Sequence, residues 1–371
     1  MSLNPSELVE LGWHPFFEEH FRPHAARGLA PARVAVQHRG AYLLYSETGE
    51  LLAELAGRLQ GDYVRHDPGK LGFEARVSGQ LPAIGDWVAA SVRVDEARAT
   101  IRAVLPRRTR VSRKTAWSTT DEQVLAANMD TVFVVSALAA GAVVDDAASV
   151  RRLERFLAMA HESAAHPVVL LTKADLRDDA RERALGLTQL GVDVVVTSSL
   201  TGEGLDELEP YLAPGKTSAL LGSSGVGKST LINTLLGVER LATRETRSDG
   251  MGRHTTMRRE LIRLPGRGLI IDSPGLREIQ LWDADDGLGG AFAEIDQLAA
   301  QCRFRDCRHT VEPGCAVRGA VETGALDASR LASFRRLQRE LEHLEQKQDV
   351  RAAAERKHQY RALARSVRKL R

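Results

Sequence analysis

The stretch Gly222-Ser-Ser-Gly-Val-Gly-Lys228-Ser229-Thr230 decides the fold of the central part of this chain. A strand is predicted directly before it, over Thr217–Leu221, and a helix follows its lysine, over residues 229–236. Strand, glycine-rich loop and helix in this order form a P-loop, whose backbone amides surround phosphate oxygens. Lys228 neutralises the β- and γ-phosphates, and Ser229 offers a hydroxyl to Mg²⁺. The residues assigned to the phosphate site are Gly222, Ser223, Ser224, Gly225, Val226, Gly227, Lys228, Ser229 and Thr230.

Two short motifs before this loop have the chemistry needed to recognise guanine. The first, Thr172-Lys173-Ala174-Asp175, follows a buried strand predicted over residues 168–171. The Asp175 carboxylate can accept hydrogen bonds from both N1–H and N2–H₂ of guanine, a pairing that adenine cannot reproduce. The second, Ser198-Ser199-Leu200, follows a strand predicted over residues 194–196 and forms a turn suited to guanine O6. Each motif is weak alone, and together they favour GTP and GDP as ligands.

A third motif follows the P-loop at the end of a strand predicted over residues 269–271. In Asp272-Ser-Pro-Gly275, Asp272 can hold Mg²⁺ through water and the amide of Gly275 can sense the γ-phosphate. Leu276 comes next, where Ras-type GTPases carry the glutamine that orients the attacking water. A leucine cannot orient water. Another polar group must therefore take over, or the isolated protein must be slow.

The best candidate for that group is His254, within Gly252-Arg-His-Thr-Thr256. The polar, glycine-containing stretch at residues 243–251 precedes it and is typical of a mobile switch loop. Thr255 or Thr256 is then placed to reach Mg²⁺ and the γ-phosphate. The alternative is a surface histidine in a flexible loop, with no catalytic role.

The order of these motifs along the chain is unusual. From residue 128 onward, predicted strands alternate with helices, which indicates a parallel sheet covered by helices. In an ordinary GTPase the phosphate motifs precede the base motifs, whereas here the motifs at 172–175 and 198–200 come first. A circular permutation reconciles this order, because domain termini usually lie close together and joining them leaves the spatial site intact.

The region before the predicted parallel sheet, residues 32–105, contains short β-like runs separated by glycine and proline turns. The runs at 33–36, 41–45, 86–94 and 100–105 suggest about five strands, which fits an OB-type barrel. An SH3-like barrel or a small sandwich would give much the same pattern. The basic segment at 106–114 can contact phosphates or serve as a solvated connection.

All three cysteines lie in one segment, Cys302-Arg-Phe-Arg-Asp-Cys307-Arg-His309-Thr-Val-Glu-Pro-Gly-Cys315. Three thiolates and one imidazole are the right number of donors for a closed tetrahedral Zn²⁺ site, and a site without an open position is structural. The sequence therefore predicts one zinc ion held by Cys302, Cys307, His309 and Cys315. The alternative is three unrelated buried thiols beside a surface histidine.

Composition places the chain among ordinary globular proteins, with 43% hydrophobic and 27% charged residues. Residues 1–21 carry four glutamates and lack the apolar stretch of a secretory signal. The longest apolar run, at 132–144, is interrupted and is shorter than the roughly 20 residues that cross a bilayer. Three clustered cysteines are not a disulfide framework. We therefore expect a cytoplasmic protein that does not engage a membrane.

The C-terminal end is strongly cationic. From Arg351 to Arg371 there are eight Lys or Arg residues and one glutamate, although the net charge of the whole chain is only +2. Before it, residues 327–345 have apolar residues at helical spacing, which predicts a helix packed on the cysteine segment. The cationic end can pair with RNA phosphates or remain a solvated tail.

Taken together, these features resemble the circularly permuted, ribosome small-subunit-dependent GTPases of the RsgA/YjeQ family. The resemblance covers about residues 32–340. It is carried by Gly85-Asp-Trp-Val88, Asn128-Met-Asp130, the permuted motif order, Gly252-Arg-His-Thr-Thr256, Asp272-Ser-Pro-Gly-Leu276 and the cysteine cluster. In one departure, the family usually has asparagine where this chain has Thr172. An asparagine can bond guanine N7 and brace the P-loop, so the departure bears on guanine affinity.

The resemblance implies an α/β protein in which a circularly permuted P-loop GTPase domain is flanked by an N-terminal OB-type β-barrel and a C-terminal helical zinc-binding domain. We expect an N-terminal extension over residues 1–31, the barrel over 32–113, the GTPase domain over 114–283, and the zinc-binding domain with its basic helix or tail over 284–371. The family assigns zinc to the same four residues.

The resemblance also implies a function. We expect a monomeric GTPase that binds the small ribosomal subunit and its rRNA and hydrolyses GTP to GDP and phosphate during late maturation of that subunit. Two alternatives stay open. One is a nucleotide-controlled rRNA-binding regulator in which hydrolysis is incidental, and the other is a P-loop ATPase, suggested only by Thr172.

Overall fold

A computed structural model of the chain describes residues 5–38, 40–57, 59, 81–114, 122–138, 147–223, 225–239, 241, 259–272, 291–339 and 342. Within them the strands are β1 (Ala30–Gln37), β2 (Ala41–Ser46), β3 (Gly49–Leu55), β4 (Trp87–Arg93), β5 (Arg98–Val104), β6 (Arg110–Lys114), β7 (Glu122–Ala127), β8 (Thr131–Ala137), β9 (His166–Thr172), β10 (Asp193–Val196), β11 (Thr217–Leu221), β12 (Glu260–Arg263) and β13 (Leu269–Asp272). The α-helices are α1 (Pro5–Glu10), α2 (Pro15–Ala25), α3 (Ala147–Glu162), α4 (Ala180–Leu187), α5 (Lys228–Leu236), α6 (Ala293–Ala299) and α7 (Ala316–Glu322), and residues 328–339 are also helical. Short 3₁₀ turns occupy Val94–Glu96, Ala174–Leu176, Thr188–Leu190 and Asp206–Tyr211.

Strands β1 to β5 form a five-stranded barrel. Neighbouring strands follow the order β1-β2-β3-β5-β4, and β4 pairs with β1, which closes the ring. Strands β3 and β5 run parallel, and the other pairs are antiparallel. The predicted N-terminal barrel is confirmed. Strand β3, which the sequence pattern did not reveal, buries Leu51, Ala53 and Leu55 and exposes the residues between them.

The central domain contains the parallel sheet predicted from the alternation of strands and helices. Strands β10-β9-β8-β11-β13 are parallel neighbours in that order, and β12 pairs antiparallel with β13. Both faces of the sheet are covered: Val132 and Val134 of β8 belong to one hydrophobic cluster, whereas Phe133 and Val135 belong to the other. Helix α3 contributes to the first cluster and helix α5 to the second.

The barrel and the parallel sheet are joined through β12. Val36 of β1 is the register partner of Glu260, so strand pairing continues from the barrel into the central domain. The buried Tyr45 hydroxyl of β2 donates to the Leu261 carbonyl at 3.2 Å. Arg263, at the end of β12, lies 6.0 Å from the centre of the Tyr45 ring. Strand β12 therefore belongs to the packing of both domains.

A second connection between these domains is a buried arginine, Arg33 of β1, which is 1% exposed. Its Nε donates to the Gly85 carbonyl at 3.2 Å, and its Nη2 donates to the Asn128 carbonyl at 2.9 Å. Its Nη1 donates to the Thr217 hydroxyl at 2.8 Å and to the Leu11 carbonyl. These acceptors belong to four separate segments: the end of α1, the barrel, the chain before β8, and β11.

The C-terminal helices are joined to the central domain by another buried arginine. Arg330 donates to Glu154 of α3 at 2.8 Å and to Glu294 of α6 at 2.5 Å. Its guanidinium lies 4.3 Å from the centre of the Phe292 ring and donates to the Ala291 carbonyl at 3.0 Å. Burial raises the pKa of Glu154, and the positive charge of Arg330 opposes that shift. The ion pair thus connects α3 to α6 and to the helical residues 328–339.

Several sequence predictions fall outside the described residues. They include the switch-loop stretch at 243–251 with its histidine motif, and the cationic end from Arg351 onward. The helix predicted over 327–345 is described at 328–339. In the part of the chain that the structure describes, no helix has the length and apolar character needed to cross a membrane.

Replacing Arg33 with methionine tests whether this residue joins the barrel to the central domain, because methionine keeps apolar bulk but donates no hydrogen bond. We expect the free energy of unfolding to fall by about 3 kcal/mol, since the buried carbonyls of Leu11 and Asn128 lose their donor and the Gly85 carbonyl keeps only its bond from Asn128 Nδ2. Urea denaturation followed by tryptophan fluorescence measures this, and Trp87 lies 5.6 Å from Arg33 Cζ. The control is Arg93→Met, which breaks only exposed contacts with Glu96 and Thr100 and should change stability by less than about 0.5 kcal/mol. Similar small effects in both variants would contradict the structural role of Arg33.

Candidate nucleotide and metal sites

Four parallel strands end at one edge of the central sheet, and each leads into a predicted nucleotide motif. Strand β11 runs into the P-loop, and β13 ends at Asp272. Strand β9 ends at Thr172, and β10 is followed by Ser198. Because the four strands are parallel, their carboxyl ends share one edge, the edge at which open α/β sheets bind ligands. The fold therefore brings together motifs that lie far apart in the chain.

Glycines shape the P-loop between β11 and α5. A Cβ atom on Gly222 would lie 2.4 Å from the Val135 carbonyl oxygen, so this position has no room for a side chain. Gly227 has a φ of 95° and is the N-cap of α5, whose first turn contains Ser229 and Thr230. The positive end of the α5 dipole therefore points into the loop, where it favours an anion.

Lys228 lies across the loop that it follows. Its Nζ donates to the Gly222 carbonyl at 2.7 Å and to the Ser223 carbonyl at 2.6 Å. The residue is only 4% exposed. These carbonyls hold the ammonium at the loop, where a P-loop lysine meets the β- and γ-phosphates of a nucleotide.

The first guanine motif touches the P-loop directly. The Thr172 hydroxyl donates to the Val226 carbonyl at 2.6 Å, and Lys173 Nζ donates to the Gly225 carbonyl at 3.1 Å. Lys173 is in the left-handed region, with a φ of 60°, and Ala174 begins a 3₁₀ turn. The motif is therefore a tight turn fastened to the phosphate loop by two consecutive side chains.

The second guanine motif orients the acid of the first. The Ser198 hydroxyl donates to Oδ1 of Asp175 at 2.5 Å. Ser198 Oγ in turn accepts hydrogen bonds from the amides of Leu200 and Thr201, each at 3.2 Å. The turn from Ser198 through Ser199 is thereby fixed, and it holds an exposed carboxylate that can accept two hydrogen bonds from guanine.

Asp272 is the remaining described member of the phosphate site. It ends β13 and is 8% exposed. Its position at the same sheet edge as Lys228 suits an acid that contacts Mg²⁺. Five further assigned residues, Ser224, His254, Thr255, Thr256 and Gly275, lie outside the described residues and stay predictions.

The four predicted zinc ligands converge. One donor atom from each of Cys302, Cys307, His309 and Cys315 lies within 4.8 Å of all the others. Cys302 Sγ is 3.8 Å from Cys315 Sγ, and His309 Nδ1 is 3.6 Å and 3.4 Å from these two sulfurs, respectively. Metal–sulfur distances of about 2.3 Å in a tetrahedron place two sulfurs about 3.8 Å apart. The cluster therefore has the spacing of a four-coordinate metal site.

Helix ends and an aromatic ring hold these donors in place. Cys302 follows α6, and Cys315 is the N-cap of α7, where its Sγ accepts from the Arg318 amide at 3.4 Å. His309 is 7% exposed, and its ring centre lies 6.4 Å from that of Phe334. A metal in this cluster would cross-link the chain after α6 to the start of α7, with Phe334 of the helical residues 328–339 packed beside it.

One buried ion pair near the barrel was not predicted from the sequence. Arg107 Nη2 lies 2.6 Å from Oδ2 of Asp86, which is fully buried. Burial raises the pKa of Asp86, and Arg107 opposes that shift through a hydrogen bond and its charge. The sequence does contain one signal of this pair: Asp86 directly precedes the apolar residues Trp87 and Val88. An acid buried with such residues needs a partner, because acids are rarely buried alone. Nothing in the sequence identifies Arg107 as that partner.

The fold and this site together define a class of protein. The phosphate-binding loop, the Mg²⁺-type aspartate and the guanine-type motifs all lie at one edge of a parallel sheet. The base motifs follow β9 and β10, whereas the P-loop follows β11. The protein is a circularly permuted P-loop GTPase.

Comparison with known proteins identifies the family. A family model described as RsgA GTPase matches residues 104–282. The "Small ribosomal subunit biogenesis GTPase RsgA" of Opitutus terrae is 45% identical, and the match covers 94% of this chain and 94% of that protein. The solved structure of YjeQ from Thermotoga maritima is 28% identical, with a TM-score of 0.59 over 84% of this chain and 98% of that chain. YloQ, a circularly permuted GTPase, is 23% identical and shares the fold, with a TM-score of 0.59 over 85% of this chain and 96% of its own.

This chain belongs to the RsgA GTPase family. The resemblance inferred from the sequence motifs is confirmed, as are the permuted fold and the class of GTP-hydrolysing enzyme. The P-loop ATPase alternative, which depended on Thr172 alone, finds no support in these comparisons.

Lys228→Ala removes the ammonium from the P-loop while leaving the glycines that shape it. We expect GTP hydrolysis to fall by about 100-fold or more, the cost of losing one group that stabilises transition-state charge. Released phosphate measured under single turnover checks this. The control is Lys216→Ala, because Lys216 is an exposed lysine immediately before β11, at the opposite edge of the sheet. Unchanged hydrolysis in Lys228→Ala would refute the P-loop assignment.

Proposed function

We propose that this protein binds the small ribosomal subunit and hydrolyses GTP to GDP and phosphate during late maturation of that subunit. The observation that carries the proposal is the meeting of phosphate and guanine motifs at one sheet edge, in a chain flanked by a barrel and a metal-binding cluster. The name of the relative from Opitutus terrae supports the ribosomal part, since that relative spans 94% of this chain.

The loop around the cysteines has the chemistry of an RNA contact. Arg303, Arg305 and Arg308 are exposed, against two acids in the same loop, Asp306 and Glu312, and the Glu312 carboxylate accepts from backbone amides of the loop. Phe304 is 41% exposed, and Arg303 Cζ lies 5.4 Å from the centre of its ring. Among the described residues, none of the three arginines takes part in an ion pair. An exposed ring flanked by arginines suits a stacked base with neighbouring phosphates.

We infer that the metal of the cysteine cluster is Zn²⁺ and that it is structural. Three sulfurs and one imidazole nitrogen form a soft, four-donor set that suits zinc and leaves no open position for catalysis. Such an ion stabilises the folded domain and holds the arginine-rich loop in shape. Mg²⁺ would accompany the nucleotide, held by Ser229 and, through water, by Asp272.

Cys307→Ser tests the metal site. We expect bound zinc to fall well below one ion per chain, and the C-terminal domain to unfold at a lower temperature, because metal binding contributes to folding. Elemental analysis and thermal melting followed by circular dichroism provide the two measurements. Arg308→Ser is the matched control, since it changes the neighbouring residue and keeps all four donors. One full equivalent of zinc in Cys307→Ser would remove that residue from the ligand set.

The proposed boundaries of the three functional parts are 32–113, 114–283 and 284–371, after an extension over 1–31. We infer that they act in a monomer in the cytoplasm, where ribosomal subunits mature.

For catalysis we propose that His254 orients the attacking water, because Leu276 cannot, and that Thr255 or Thr256 reaches Mg²⁺ and the γ-phosphate.

Single-turnover GTP hydrolysis with and without purified small subunits tests the function. We expect the protein alone to hydrolyse GTP at about 10⁻² per second or more slowly. Small subunits should accelerate the reaction at least about tenfold, a gain of about 1.4 kcal/mol. His254→Ala should lose this stimulation, whereas His166→Ala, at the exposed amino end of β9, should keep it.

Two results would count against this function. Equal stimulation in wild type and His254→Ala would leave His254 without a catalytic role. No stimulation by small subunits, with large subunits as the comparison, would contradict the ribosomal partner itself.

A further inference from the structure

We propose that the Thr172 hydroxyl braces the P-loop and does not contact the guanine base. This protein then recognises guanine without a side-chain donor to N7 at this position. The inference rests on the guanine nucleotide site proposed above and concerns how that site divides its contacts. A threonine hydroxyl has a single proton to donate, and in this structure the P-loop takes it.

The Thr172 side chain is enclosed and already engaged. The residue is 2% exposed and ends β9. Its Oγ1 lies 2.6 Å from the Val226 carbonyl oxygen and 3.2 Å from the Ser136 carbonyl oxygen. Both neighbours are acceptors, so the one proton serves the shorter contact, to Val226. The hydroxyl has none left for N7 of a guanine, which is also an acceptor.

The contact with Val226 fastens the middle of the loop that binds phosphate. A Cβ atom on Gly227 would lie 3.5 Å from Thr172 Oγ1, so the side chain packs on the loop backbone. The next residue, Lys173, donates to the Gly225 carbonyl at 3.1 Å. Two consecutive loop carbonyls therefore accept from two consecutive side chains, the last of β9 and the one that follows it. Nucleotide affinity depends on this brace, because it holds the loop in its phosphate-binding shape.

An asparagine at this position would have a different capacity. Its side-chain amide carries two N–H donors, so it can brace a loop carbonyl and donate to N7 at the same time. Threonine keeps the brace and gives up the second donor. Guanine selectivity then depends on Asp175, whose carboxylate is oriented by Ser198 and can accept from the N1–H and N2–H₂ donors of guanine. Compared with asparagine at this position, threonine therefore lowers the affinity for guanine nucleotides and leaves the choice of base unchanged.

A nucleotide analogue tests this division without any mutation. In 7-deaza-GDP a C–H group replaces N7, and the Watson–Crick edge is unchanged. We expect the wild-type protein to bind GDP and 7-deaza-GDP with affinities within about twofold, because no hydrogen bond to N7 is lost. Titration calorimetry with each nucleotide measures the two affinities. A preference for GDP of about fivefold or more would overturn the proposal.

Three substitutions separate the two roles of the side chain. Thr172→Asn should bind GDP about fivefold more tightly than 7-deaza-GDP, since it gains a donor to N7. Thr172→Val, which has no hydroxyl, should weaken both nucleotides by about tenfold and by equal factors, because Val226 loses its donor. Thr172→Ser keeps the proton and should restore wild-type affinity. Thr172→Asn without a preference for GDP, or Thr172→Val with unchanged affinity, would each overturn the proposal.

The variant Asp175→Asn distinguishes a failure of the inference about Thr172 from a failure of the proposed guanine nucleotide site. It should weaken GDP and 7-deaza-GDP alike, because it alters a contact with the other edge of the base. If the wild type binds neither nucleotide, or if Asp175→Asn binds both as well as wild type does, the guanine site itself is wrong. If Asp175→Asn weakens both while the wild type prefers GDP over 7-deaza-GDP, the site stands and only the role of Thr172 fails.

Discussion

The arrangement of the first two domains depends on one buried charge, the guanidinium of Arg33. Burial lowers the pKa of Arg33 to about 10, and Asp130 and Asp86 oppose that shift, so the group remains protonated at neutral pH. A buried cation is very costly unless its N–H groups are all satisfied. Here three carbonyls and a hydroxyl, from four separate segments, accept four hydrogen bonds from it. Any shift of the barrel relative to β11 would leave part of this charge unpaired, and β11 is the strand that leads into the P-loop. The barrel orientation and the P-loop strand are therefore linked.

The contact between the central domain and the C-terminal domain is fixed in a similar way. Glu154, on the helix that covers β8 and β9, pairs with Arg330 of the C-terminal domain, and both side chains are almost fully buried. A buried ion pair of this kind contributes little net stability, because desolvation offsets most of the attraction. Removing one partner is costly, however, so the pair fixes the relative position of the two helices. The metal cluster then sets the shape of the C-terminal domain beyond that contact. Both flanking domains are thus held by polar groups that tolerate few alternative geometries.

The limits of sequence prediction follow from the range of the interactions. The predicted strand at Thr217–Leu221 matches β11, and the helix after it starts one residue earlier than predicted, because both depend on local glycine and apolar patterning. Parallel strands also explain why the motifs at Asp175 and Ser198 could be expected to meet. Strand β3 was missed because Glu, Leu and Ala in Gly49–Leu55 favour helix as much as strand. The arginine junctions could not be predicted, since Arg33 contacts a residue 184 positions away and Arg330 one 176 positions away.

These connections show what the circular permutation changes in the structure and what it leaves unchanged. The contacts that form the nucleotide site run between neighbouring strands, so the site depends on strand order in space and not on order in the chain. What the permutation changes is where the domain joins its neighbours. The predicted switch loop at 243–251 and the histidine motif at 252–256 precede β12 in the chain, and β12 pairs with β1 of the barrel. The chain after Asp272, the acid placed to contact Mg²⁺, runs on to α6 and the metal cluster without another described strand in the sheet. Each of the two segments proposed to respond to the γ-phosphate therefore leads along the chain to a flanking domain. In the function proposed above, those domains are the ones that contact the subunit, so nucleotide state and subunit contact are joined by short stretches of the same chain.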